Sequence, residues 1–121
     1  MYHLSIETKF SAAHSIDGYE GECKQLHGHD WKIQIEVAAD SLNEIGMAID
    51  FHQLQDITRD ILKQFDHQYI NELPQFKELN PTAENLAKYI YEQVEIKLPD
   101  AVQMEQISIW EGEKYCVRYS K

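Results

Sequence analysis

No run of about 18 apolar residues occurs in this chain, so no membrane-spanning helix is expected. Basic residues are scarce. Eleven Lys and Arg stand against 21 Asp and Glu, a net charge of −10, and they are scattered rather than gathered into a stripe. Nucleic-acid binding therefore lacks its electrostatic footprint. A small anionic substrate remains compatible, because a local pocket can oppose the overall field. Cysteine is limited to Cys23 and Cys116, which in a reducing compartment are expected as free thiols. The opening stretch MYHLSIETKF has no basic patch leading into a long apolar run. A secretory signal is thus not expected, and the cytoplasm is the expected compartment. Repeats, linkers and low-complexity segments are missing too. The 121 residues suffice for one domain, 1–121, with a modest core, and 43% apolar content argues against disorder.

What is present is periodic. Tyr2, Leu4, Ile6, Thr8, Phe10, Ala12 and His14 alternate with polar residues, as do His27, His29, Trp31, Ile33, Ile35 and Val37. Period two over such lengths predicts two half-buried strands, joined by a long loop holding Gly18 and Gly21. Asp50 is placed to cap a helix whose apolar stripe is Leu54, Ile57, Ile61, Leu62 and Phe65. A second helix starts around residues 80–82, with Ala83, Leu86, Ala87, Ile90 and Val94 on its buried face and Pro99 ending it. The segment QISIWEGEKYCVRYS predicts a hairpin with a tight Gly112-Glu113 turn, which aligns Ile107, Ile109 and Glu111 on one side. The order ββααββ predicts an α+β layer, a four-stranded antiparallel sheet with two helices on one face.

The stretch CKQLHGHDW concentrates the chemistry. His27 and His29 project the same way from one strand, and Gly28 lets the backbone bend between them. If the first two strands pair antiparallel, His14 meets them and three imidazoles converge. Three imidazoles with an open fourth position suit a catalytic zinc, whereas Cys23 as fourth ligand would close a structural site. Cys23 also suits a base or nucleophile whose pKa a metal and Lys24 lower, or a passive loop thiol. Chance alone also produces His-Gly-His, and His3 and His52 read as solvated. From the residues alone Asp66-His67 reads as a polar helix C-terminus, Thr82 as a cap and Glu84 as a first-turn acid. Glu111 extends an apolar face, although a strand-end carboxylate is ordinarily solvated.

The segments FSAAH, CKQLHGH, IDF, FDHQYIN, NPTAEN and WEG, in this order over essentially the whole chain, resemble the 6-pyruvoyltetrahydropterin synthase family. The Cys-x3-His-Gly-His spacing is most similar to its bacterial branch, which makes 6-carboxy-5,6,7,8-tetrahydropterin for queuosine. The resemblance implies a tunnelling fold in which subunits join their sheets into a β-barrel, commonly a homohexamer built as a dimer of trimers with active sites at subunit interfaces. It implies a zinc-dependent lyase converting 7,8-dihydroneopterin triphosphate to the carboxypterin, acetaldehyde and triphosphate. His14, His27 and His29 match the zinc ligands, and Cys23 the proton-abstracting thiol. Asp66 and His67 match a proton relay. Glu111 matches the carboxylate that holds the pterin ring and is counted with the relay, and Thr82 and Glu84 match residues near the pterin. Ser15 departs from an arginine common in relatives, which leaves the groups that hold the triphosphate open. Two rivals stand beside this reading. One is a pyruvoyl-forming or sepiapterin-cleaving relative, and the other a non-catalytic zinc-binding module.

Overall fold

The computed structural model describes residues 1–18 and 27–121, with His27 described by its backbone alone. Strand β1, Tyr2–His14, pairs antiparallel with β2, His27–Ala39, from Tyr2 opposite Ala39 to His14 opposite His27. The alternation read in the sequence becomes two faces. Phe10, Ala12 and His14 are buried on β1, as are Trp31, Ile33, Ile35 and Val37 on β2. Helix α1, Phe51–Leu62, begins where the Asp50 carboxylate accepts the His52 backbone N–H at 2.8 Å. Helix α2, Ala83–Lys97, begins where the Thr82 hydroxyl accepts the Asn85 N–H at 3.1 Å. Both bury their apolar stripes with the inward face of the sheet in one cluster, which includes Leu54, Ile61, Leu86, Ile90, Ile107 and Ile109.

Strands β4, Gln103–Glu111, and β5, Tyr115–Tyr119, complete the antiparallel hairpin. Its connection is Gly112 to Lys114, one residue longer than the expected two-residue turn. Gly112 takes φ +70, a left-handed conformation that a side chain would strain. A further strand, β3, Gln68–Tyr69, adds to the four expected. It lies parallel to β1 at Ala12 and Ala13, so the order across the sheet is β3-β1-β2-β4-β5. Two residues carry no readable period, which is why the sequence did not announce it. Two short 3-10 turns, Ile70–Glu72 and Pro74–Phe76, lead on toward α2.

This topology gathers one end of the sheet. The C-terminal end of β1, the start of β2, the end of β4, β3 and the approach to α2 all meet there. Every candidate residue among those described, except Glu84, sits on or next to these segments.

Candidate metal centre and cleft

His14 is fully buried at the end of β1. His29 lies diagonally across on β2, where Ala12 is its direct partner, and Glu111 ends β4 opposite Trp31. Their side chains converge. His14 Nε2 is 2.9 Å from Glu111 Oε1, and His29 Nε2 is 2.9 Å from the same oxygen. One ligand atom from each of the three lies within 4.8 Å of the others. The Trp31 ring stands edge-on to both imidazoles, 5.0 Å from His14 and 5.8 Å from His29 between centroids, and so walls the group on its apolar side.

The tautomer of His14 follows from its other nitrogen. Nδ1 is 2.7 Å from the Pro81 carbonyl oxygen, which can only accept, so the ring proton of a neutral imidazole belongs on Nδ1. Nε2 then turns a lone pair toward a carboxylate oxygen. Two electron-rich atoms at that distance need a proton or a cation to reconcile them. A backbone carbonyl behind one ring nitrogen is also the usual support for a metal-binding histidine. The donor set therefore fits a cation.

The described trio is His14, His29 and Glu111. The His27 side chain and Cys23 lie outside the described residues. Glu111, which the resemblance assigns to the pterin, points into the imidazole pair with its side chain 19% exposed. Gly28 is not a bend. It pairs regularly opposite Ala13, and among the described residues a Cβ there would meet no atom within 4 Å. That open space belongs to a cleft of about 560 Å³ lined by Ser11, Gly28, His29, Asp30, His67 and Tyr69.

His67 reaches the cleft through an uncommon backbone. Its φ of +58 makes it the described non-glycine residue in the left-handed region, and its N–H donates to the Ser11 carbonyl at 2.6 Å. The Asp66 carboxylate accepts the Ser11 N–H at 3.0 Å and lies 3.1 Å from His67 Nδ1. These contacts, the Ser11 N–H first and His67 after it, hold the Asp66 carboxyl below its usual range. Ser11 extends the chain by donating its hydroxyl to Asp30 at 2.7 Å. Ser11, Asp30 and the Pro81 carbonyl were not singled out from sequence. Nothing in local composition marks them, since their roles arise from pairing between distant segments. Thr82 caps α2, and Glu84 is exposed in its first turn.

A second group, His3, Glu36 and Glu105, lies toward the opposite end of the sheet. A β-bulge between Glu36 and Val37 brings Glu105 beside Glu36. Its members are half-buried or exposed, and no feature beyond their proximity points to a ligand.

The fold and site together define an α+β protein with a buried histidine, a second imidazole and a carboxylate grouped as a metal could be held, beside an open cleft. Residues 3–121 match the family described as 6-pyruvoyl tetrahydropterin synthase, and the chain belongs to that family. It is 30% identical over 92% of its length to the 6-carboxy-5,6,7,8-tetrahydropterin synthase of Haemophilus influenzae, covering 93% of that protein. It is also 32% identical over 94% of its length to the dihydroneopterin monophosphate aldolase of Pyrococcus furiosus, covering 93% of it. Among solved structures, the Caenorhabditis elegans 6-pyruvoyl tetrahydropterin synthase superposes with a TM-score of 0.88 at 22% identity, covering 99% of this chain and 95% of that one, a likeness of fold.

Proposed function

We propose that this chain is a zinc-dependent lyase that converts 7,8-dihydroneopterin triphosphate and water to 6-carboxy-5,6,7,8-tetrahydropterin, acetaldehyde and triphosphate, in the cytoplasmic route to queuosine. The observation that carries the reading is the convergence of His14, His29 and Glu111 beside a cleft that His67 also lines. The relatives named for this reaction support the substrate class. Residues 1–121 act as one tunnelling-fold domain, in a homohexamer whose active sites lie between subunits.

His14, His27 and His29 would hold the zinc. Once bound, zinc supplies a Lewis acid that polarises the substrate's side-chain oxygens. The protein's own groups do the rest. Cys23 as thiolate takes a carbon-bound proton. His67 receives and returns protons near neutral pH, with Asp66 holding its Nδ1. Glu111 accepts the paired N–H donors on the pterin edge, a charge-assisted contact that fixes the ring. Thr82 and Glu84 border the pterin.

Purified protein given dihydroneopterin triphosphate should release acetaldehyde and triphosphate together. Cys23→Ala should keep its zinc and lose at least about 100-fold in turnover, the scale of one acid–base group. Loss of zinc in that variant would instead favour a closed, non-catalytic site. Turnover without acetaldehyde would favour a pyruvoyl-forming or sepiapterin-cleaving enzyme. The Pyrococcus furiosus relative supports a second reading, an aldolase acting on dihydroneopterin monophosphate. Carbon–carbon cleavage of the monophosphate, with no reaction of the triphosphate, would establish that reading and overturn the first.

A further inference from the structure

Two of the three asparagines in these motifs, Asn71 and Asn80, hold the chain just past His14 and have no role in this chemistry. Asn71 ends FDHQYIN and Asn80 opens NPTAEN. Each pairs its side-chain amide with the backbone of one residue just beyond His14. The Asn71 carbonyl accepts the Ser15 N–H at 2.9 Å, and its amide N–H donates to the Ser15 carbonyl at 2.9 Å. The Asn80 carbonyl accepts the Asp17 N–H at 3.0 Å, and its amide donates to the Asp17 carbonyl at 2.9 Å. In both cases a side chain pairs with the backbone as a neighbouring strand would, just past the last residue of β1.

Asn80 is linked to the imidazole a second way. Its own carbonyl accepts the Asn85 side-chain amide at 2.8 Å, which ties it to the first turn of α2. The next residue, Pro81, offers the carbonyl that receives His14 Nδ1–H at 2.7 Å, and Thr82 caps the helix. The carbonyl that selects the tautomer of His14 is thus rooted in a rigid helix start. The backbone that carries His14 is clamped to the same block through Asp17 and to the 3-10 turn through Ser15. Tyr69 adds a hydroxyl contact to Ser15 Oγ at 2.8 Å.

We propose that Asn71 and Asn80 are positioning residues that lock the exit of β1 against the start of α2, so that His14 Nδ1–H stays on the Pro81 carbonyl and Nε2 stays aimed at His29 and Glu111. Both amides are half-buried, and a side-chain amide that meets a backbone N–H and C=O of one residue at once fixes that residue in two directions. The inference bears on the metal reading above but does not need it, since it concerns the hydrogen bond from His14 Nδ1 to the Pro81 carbonyl.

The test uses Asn71→Asp and Asn80→Asp. Each keeps the acceptor and the volume but sets a carboxylate oxygen against a backbone carbonyl. Ile61→Val, in the α1 core, serves as a control that lowers the denaturation midpoint without touching the clamp. In metal-free wild-type protein the His14 Nδ1 proton should appear in nitrogen-15-labelled spectra as a slowly exchanging resonance. Ile61→Val should keep it, and both asparagine variants should lose it. Titration with Co2+ provides the second readout. Affinity should fall about tenfold or more in the asparagine variants, with an altered visible spectrum, and stay unchanged in Ile61→Val. Lower midpoints with an unchanged Nδ1 resonance and an unchanged Co2+ spectrum would overturn the proposal and leave two ordinary structural asparagines. Should Asn71→Asp fail to fold, Asn80→Asp decides. Failure of the wild type to bind Co2+ would contradict the zinc reading, and the proton resonance would still decide this one.

Discussion

His14 faces oxygen at both ring nitrogens, and that single fact organises the residues around it. With Nδ1–H directed at a carbonyl, Nε2 is directed at the Glu111 carboxylate, 2.9 Å away. Glu111 stands where it can meet either a cation or the donor edge of a pterin. Glu111→Gln separates these roles. On the pterin reading the variant keeps its zinc stoichiometry, while KM rises about tenfold or more as a charge-assisted pair is lost. Loss of zinc would make Glu111 a ligand instead. Asp66 gives a pH-dependent expectation. Its folded pKa is depressed, chiefly by the Ser11 N–H and then by His67. A depressed carboxyl stabilises the fold above its unfolded pKa of about 3.9, and that contribution disappears as pH falls through the folded value. The stability difference between wild type and Asp66→Ala, from urea denaturation, should therefore be constant at neutral pH and shrink below about pH 4. A difference that grows on acidification would contradict the assignment.

At the scale of elements, the site is a consequence of strand ends and helix starts. Period-two alternation made β1, β2 and the inward side of β4 legible, and with them the positions of His14, His29 and Glu111 on one face. The caps at Asp50 and Thr82 were legible as residue types with a known preference for that position. Chemical roles for Cys23, Asp66 and His67 came from resemblance to a family rather than from any period. Other features were not legible at all. Strand β3 is too short to show a pattern, and the left-handed turn at His67 has no glycine to mark it. The bond from His14 to Pro81 spans 67 positions in sequence. Such contacts depend on how separate elements dock, which local patterning does not encode. Thr82 shows how one residue serves both levels. Thr82→Ala should lower stability by about 1 kcal/mol through the lost cap, with an unchanged denaturant slope, and Thr82→Ser should restore it. An Ala variant as stable as the wild type would mean that α2 is held at its start by other contacts, Asn85 to Asn80 foremost.

The whole molecule presents unfinished surfaces. Among the described residues the outer edge of β1 is paired only at Ala12 and Ala13, and β5 has strand neighbours on one side alone. Open edges of this kind invite pairing between chains unless something covers them. An apolar cavity of about 410 Å³ lies beside the start of β1, lined in part by Tyr2, Leu42, Met47 and Phe51. If the proposed homohexamer forms, light scattering should give six times the chain mass of 14.2 kDa, and a monomer at micromolar concentration would contradict it. The account rests most heavily on the metal. X-ray absorption at the zinc edge, on protein purified without added chelator, tests it directly. One zinc per chain with a first shell of imidazole nitrogen at about 2.0–2.1 Å and no sulfur is the predicted result. A sulfur shell at about 2.3 Å would place Cys23 on the metal and contradict its role as a base, and protein that is active yet free of zinc would contradict the account at its centre.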